Sequence, residues 1–107
     1  MAKHRFTVSA ARRMHILEGD SYGGGHGPGR RKAGKSEFPA TLSDDQIIEG
    51  VEAIANDASR YSGGSIPRVG LRAIAEGLIL SVRTRVIVTP RVDEVITAYP
   101  LGVPRNP

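Results

Sequence analysis

Two histidines carry most of the chemistry that this chain of 107 residues offers: His15 and His26, eleven positions apart. Cysteine is absent, so a thiolate nucleophile, a thiolate metal site and a disulfide framework are excluded together. Imidazole titrates near pH 6.5 and serves as acid or base at neutral pH. A pair of imidazoles suits a reaction that takes a proton from one oxygen and gives one to another. Cleavage of RNA through its own 2′-hydroxyl is of that kind: a base removes the hydroxyl proton and an acid protonates the departing 5′-oxygen. Each role is worth roughly 10²–10⁴-fold in rate. Two other readings stand beside this one. Both histidines could be ordinary surface or core residues, or they could join a metal site, which wants a third ligand. His4 and Asp20 are the available ligands, and neither has a recognisable ligand spacing.

A hydroxyl and a phenol recur near the end of the chain in Ile96-Thr97-Ala98-Tyr99-Pro100. On a strand, period two sets Thr97 and Tyr99 on one face. Side by side they would bond a phosphate or stack on a base; an ordinary strand end is the alternative. Gly29-Arg30-Arg31-Lys32-Ala33-Gly34-Lys35-Ser36 fits the phosphate-loop pattern G-x-x-x-x-G-K-[ST] letter for letter. That loop works only between a buried strand and a helix N-terminus. Glycine-rich sequence precedes it here, and Pro39 stops a helix from running on beyond it. The nucleotide reading is therefore rejected.

The charge is unevenly placed. Residues 1–36 hold eight Lys/Arg (Lys3, Arg5, Arg12, Arg13, Arg30, Arg31, Lys32, Lys35) against Glu18 and Asp20, while the rest holds seven against nine, for a net +4. A basic half suits an anionic partner such as nucleic acid, with solvated surface arginine as the plain alternative. No apolar run approaches the ~20 residues of a spanning helix. The N-terminus has no long hydrophobic region, so no signal peptide is read there.

The elements that must position these residues are legible in outline. Helical spacing of Val8, Ala11, Met14/His15 and Leu17 predicts a helix over Phe6–Leu17, stopped by Gly19, with His15 in its last turn. From Gly19 to Pro39 the chain reads as one long loop carrying His26, since six glycines lie between Gly23 and Gly34. Ser43 with Gln46 forms a capping-box pattern, and Asp44 and Asp45 suit a helix N-terminus. The stripe Ile47, Ile48, Val51, Ile54, Ala55 carries that helix to about Ala58. Tyr61–Pro67 reads as a linker. Val69–Glu76, Ile79–Thr89 and Val92–Tyr99 are three expected strands with short, hence antiparallel, connections. The expected fold is a single α+β domain over residues 1–107, its central helix packed on a three-stranded antiparallel sheet.

These segments, taken in order, resemble the bacterial EndoU nuclease domain. The matching pieces are His15-Ile16-Leu17-Glu18-Gly19-Asp20, Gly23-Gly24-Gly25-His26, Gly34-Lys35-Ser36-Glu37-Phe38-Pro39 and Ser43-Asp44-Asp45-Gln46-Ile47-Ile48. Glu76-Gly77, Val86-Ile87-Val88 and Val95-Ile96-Thr97-Ala98-Tyr99-Pro100 complete the set, so that the functional core spans about residues 12–100. The resemblance implies an RNase A-like (BECR) fold and an endoribonuclease, with tRNA the expected substrate, that leaves a 2′,3′-cyclic phosphate. It implies His26 as base, His15 as acid, and Thr97 and Tyr99 as the pair holding phosphate or base. Lys35 is the counterpart of the lysine that offsets phosphorane charge in some members, with a backbone-phosphate contact or loop anchor as its alternative role. Arg12, Arg13, Arg30, Arg31 and Lys32 are the expected RNA-binding residues. No metal or other cofactor is expected, although some relatives depend on manganese. The resemblance further implies the C-terminal part of a larger secreted toxin, acting in the cytoplasm of a competing bacterium and blocked by a cognate immunity protein. Two rival classes remain: a nucleic-acid-binding module without catalysis, and an inactive EndoU fold that works through a protein partner.

Overall fold

The computed structural model describes residues 5–107. Its elements run helix α1 (Ala10–Leu17), helix α2 (Asp44–Ala55), strand β1 (Ala73–Ile79), strand β2 (Val82–Thr89) and strand β3 (Glu94–Pro100). The three strands form one antiparallel sheet in the order β1-β2-β3, and both helices bury their apolar faces on the same side of it. This is a small α+β domain, as expected. Among the described residues no helix is long and apolar enough to cross a membrane.

Helix α2 starts where local chemistry dictates. The Ser43 hydroxyl accepts from Gln46 N–H and the Gln46 side chain accepts from Ser43 N–H, so the capping box is complete. Ile47, Val51 and Ile54 then face the sheet and meet Ala75, Ile79, Val86 and Val88 in one core. Gly50 and Gly77 let helix and strand close: a Cβ on Gly50 would lie 2.7 Å from Ile79, and one on Gly77 2.9 Å from Ile54. The helix ends at Ala55, short of the expected Ala58, because Asn56 turns to other work. Its side-chain oxygen accepts from the N–H groups of Arg5 and Phe6, and its amide donates to the Phe6 carbonyl.

That bonding also corrects the start of α1. Residues 6–8 fit the helical spacing but run extended, with Thr7 bridged to Glu94 and Val8 N–H held by the Glu52 carboxylate. Phe6 is thereby driven fully into the core. Ser9 caps the helix that follows. Tyr61, read as linker, is buried and donates its hydroxyl to the Ala55 carbonyl at 2.6 Å.

Strand bounds also move. β1 begins at Ala73 rather than Val69 and continues through Gly77 to Ile79. The hairpin turn falls on Leu80 and Ser81, both at positive φ (43° and 75°), the backbone a two-residue hairpin turn needs. At the other connection, Asp93 takes the left-handed conformation (φ 55°) that a glycine would take more easily. A bulge on β3 sets Thr97 opposite Ile87 but Val95 opposite Val88, leaving Ile96 as the extra residue. The bulge allows Val95 to be buried while Thr97 and Tyr99 both point to the opposite face.

Candidate active site

The site is assembled at the C-terminal end of α1. The last four carbonyls of a helix lack intrahelical partners. In α1 the Met14 carbonyl accepts from Glu18 N–H, and those of His15, Ile16 and Leu17 accept from Gly25, His26 and Gly27 N–H at 3.0, 2.7 and 3.0 Å. The glycine loop is thus the cap of the helix that carries His15, and capping sets His26 one rung away. His26 also accepts at its own carbonyl from the N–H of buried Phe38, at 2.8 Å. Glycine is required where the loop lies flat on the helix end. A Cβ on Gly24 would run into the His15 carbonyl oxygen, 2.8 Å from its carbon, and one on Gly27 would lie 2.8 Å from the Leu17 oxygen.

Both imidazoles are buried, and each is anchored through Nδ1. His15 Nδ1 lies 3.0 Å from the Asp20 carboxylate, and His26 Nδ1 lies 2.7 Å from the Ser36 carbonyl. A carboxylate or carbonyl oxygen only accepts, so both rings carry a proton on Nδ1. Each Nε2 has no partner among the described residues, and no buried side-chain nitrogen or oxygen there is left unpaired.

The two rings differ electrostatically. Burial holds His26 below the ordinary imidazole value of 6.5, and the charges of Lys35, His15 and Arg105 push the same way against the Ser36 bond. At neutral pH, His26 is an uncharged ring with a free lone pair on Nε2. His15 instead has its Nδ1 on a carboxylate. The Tyr22 N–H and then His15 hold Asp20 below its ordinary value, so that carboxylate is ionised. The two rings thus differ in their Nδ1 partner, a neutral carbonyl for His26 and an ionised carboxylate for His15.

Two hollows border the glycine loop. One of about 210 Å³ is lined by His26, Gly34, Lys35, Ser36, Tyr99 and Arg105. The other, about 340 Å³, is lined by Asp20, Gly23, Gly24, Lys32 and Lys35 among others. Lys35 borders both. The Tyr99 ring tilts against His26 with centroids 5.7 Å apart. Thr97 shares the face of Tyr99 but borders neither hollow, and His15 lines neither, although its neighbours Asp20 and Gly24 line the second.

The basic residues divide. Arg12 pairs with Glu94, Arg13 with Asp45, and Arg30 with both Glu18 and Asp44. Arg30 ties the loop to the ends of both helices, and its charge is spent on structure. Arg31 and Lys32 are exposed and have no ion pair among the described residues. The phosphate-loop match leads into no helix; Ser36 bridges to Arg105 in the C-terminal segment instead. Lys3 and His4 lie outside the described residues. Among those described, no three His, Asp or Glu side chains gather as a metal site.

Three neighbours were not legible beforehand. Ser36 anchors His26 through a backbone carbonyl, which no residue-type pattern reveals. Arg85 lies opposite Tyr99 in the register and bonds Glu76 twice, at 2.9 and 2.7 Å, giving a Glu76–Arg85–Tyr99 row across the outer face. Strand alternation would have offered Arg85 to that face. Arg105 lies beyond the residue-100 limit of the expected core, and nothing local announces it. No family model, curated protein or solved structure matches this chain.

Proposed function

We propose that this chain is an EndoU-type endoribonuclease domain with an RNase A-like (BECR) fold, cleaving RNA by transesterification. The observation that carries the reading is the pair of histidines with Nδ1 anchored and Nε2 open: His26 on a carbonyl, His15 on a carboxylate. His26 Nε2 takes the 2′-hydroxyl proton, and the 2′-oxygen attacks phosphorus. His15 Nε2 gives its proton to the 5′-oxygen as that bond breaks. The products are a 2′,3′-cyclic phosphate and a 5′-hydroxyl. Lys35, on the border of both hollows, offsets charge gathering on the phosphorane. Tyr99 offers a ring for a base to stack on, and Thr97 is a supporting residue of the same strand face. Arg31 and Lys32 supply backbone-phosphate attraction, with lesser shares from the ion-paired Arg12, Arg13 and Arg30.

With this activity, the biological reading is a toxin domain delivered as part of a larger secreted protein into the cytoplasm of a competing bacterium, with tRNA as its target and an immunity protein as its restraint. Incubation of the protein with total bacterial RNA in EDTA tests the chemistry. Discrete fragments ending in cyclic phosphate are expected, and none with His15→Ala. Intact RNA, with or without manganese, would overturn the enzyme reading in favour of a binding module.

A further inference from the structure

Residues beyond β3 return to the site and are fastened there. Asn106 makes four bonds to the basic loop: its carbonyl accepts from Gly34 N–H, its N–H donates to the Lys35 carbonyl, and its side-chain amide donates to the Lys32 carbonyl and the Glu37 carboxylate, at 2.8, 2.8, 2.9 and 3.0 Å. Glu37 in turn accepts from the N–H groups of Gly29 and Arg31, so one carboxylate ties loop and tail together. The residue this clamp presents is Arg105, bridged to Ser36 and bordering the hollow of His26, Lys35 and Tyr99. No acidic side chain lines that hollow, and Arg105 has no carboxylate partner among the described residues. Arg12, Arg13 and Arg30, by contrast, are all paired.

Two cations, Lys35 and Arg105, thus face one small hollow with no counter-charge of the protein's own. A phosphodiester in the bound substrate carries one negative charge, which Lys35 alone balances. A guanidinium on a fixed segment matches the oxygens of a further phosphate in its fork of donors. Tyr99 lines the same hollow and offers a ring on which a neighbouring base could stack.

We infer that Arg105, held by the Asn106 clamp, binds a backbone phosphate flanking the scissile one, making the C-terminal segment part of the substrate site and single-stranded RNA longer than a dinucleotide the preferred substrate. This rests on the endoribonuclease reading and extends it. The test is binding of a fluorescent, uncleavable 2′-deoxy-substituted RNA oligonucleotide across a salt series, together with cleavage of a dinucleotide and of a longer oligonucleotide. Loss of one phosphate contact on a single strand flattens the slope of log K against log[salt] by about 0.7. Arg105→Ala is expected to flatten it by that amount, and Arg105→Lys to restore the slope. Arg72→Ala, which removes a charge beside a different hollow, is the control and leaves the slope intact. Arg105→Ala also raises KM for the oligonucleotide several-fold, and by clearly more than it affects the dinucleotide, which lacks the flanking phosphate. Asn106→Ala, if folded by circular dichroism, reproduces part of that KM effect. An unchanged slope, or an equal loss on the dinucleotide, would overturn the inference while leaving the nuclease reading standing. Arg105-dependent binding without cleavage would do the reverse, and absence of RNA binding by the unmodified protein would end both.

Discussion

Replacing Gly24 with alanine isolates the contact that assembles the site, because Gly29 supplies a matched control. The two glycines share nearly the same backbone, φ +78° and +77°, so alanine at either carries the left-handed penalty of roughly 1–2 kcal/mol. They differ in surroundings. Around Gly29 a Cβ meets nothing within 4 Å, whereas at Gly24 it collides with the His15 carbonyl. Relief requires the loop to lift, which sacrifices the Gly25–His15 and His26–Ile16 backbone bonds at about 1 kcal/mol each. Gly24→Ala should therefore cost about 3–4 kcal/mol, and Gly29→Ala about 1–2. With a urea slope of about 1.5 kcal/mol/M, the midpoints should fall by roughly 2–3 M and 1 M. Circular dichroism during urea titration reads both. Activity of the folded fraction should part more sharply, since a misplacement of ~1 Å costs on the order of 10²-fold. Equal losses of stability and activity in the two variants would refute the claim that helix capping by the loop positions the histidines.

Three further outcomes follow from the electrostatics. The acid limb of the pH–rate profile should fall below pH 6.5, because His26 must be neutral to act and burial lowers its value; a limb above 6.5 would count against His26 as base. The unfolded chain binds that proton more readily than the folded protein, so stability should also decline as pH falls below 6.5 and stop declining, for this group, beneath the lowered folded value. Arg30→Met should cost about 1–2 kcal/mol, discounted for partial exposure, by leaving Glu18 and Asp44 without their shared partner. It should barely change the salt dependence of RNA binding, and a slope reduced as much as in Lys32→Ala would contradict the structural role.

What the sequence revealed about this fold was local chemistry. The capping box of Ser43 and Gln46 specifies the start of α2 within four residues, and apolar spacing specifies the face it buries. The start of α1 departs from the helical spacing because Val8 fits that pattern while its N–H belongs to Glu52, 44 positions on. Gly77 falls outside the expected strand Val69–Glu76, yet it is a strand residue whose missing side chain admits Ile54. Leu80 and Ser81 form the real turn without any turn-favouring glycine. Residue type and spacing suggested the two histidines, but what fastens them is mostly backbone: helix carbonyls under a glycine loop and Ser36 under His26, with the Asp20 carboxylate holding His15. The hold on Arg105 comes from Asn106 through bonds spanning 69 to 74 positions, beyond the reach of any local pattern.

The division of labour between the histidines is tested most directly with a dinucleotide whose 5′-bridging oxygen is replaced by sulfur. A thiolate leaves without protonation, so the need for an acid disappears while the need for a base persists. His15→Ala should lose orders of magnitude on the ordinary dinucleotide and little on the sulfur analogue, whereas His26→Ala should be impaired on both. If His15→Ala is impaired equally on both substrates, or if the sulfur rescues His26→Ala instead, then the assignment of His15 as acid and His26 as base is wrong.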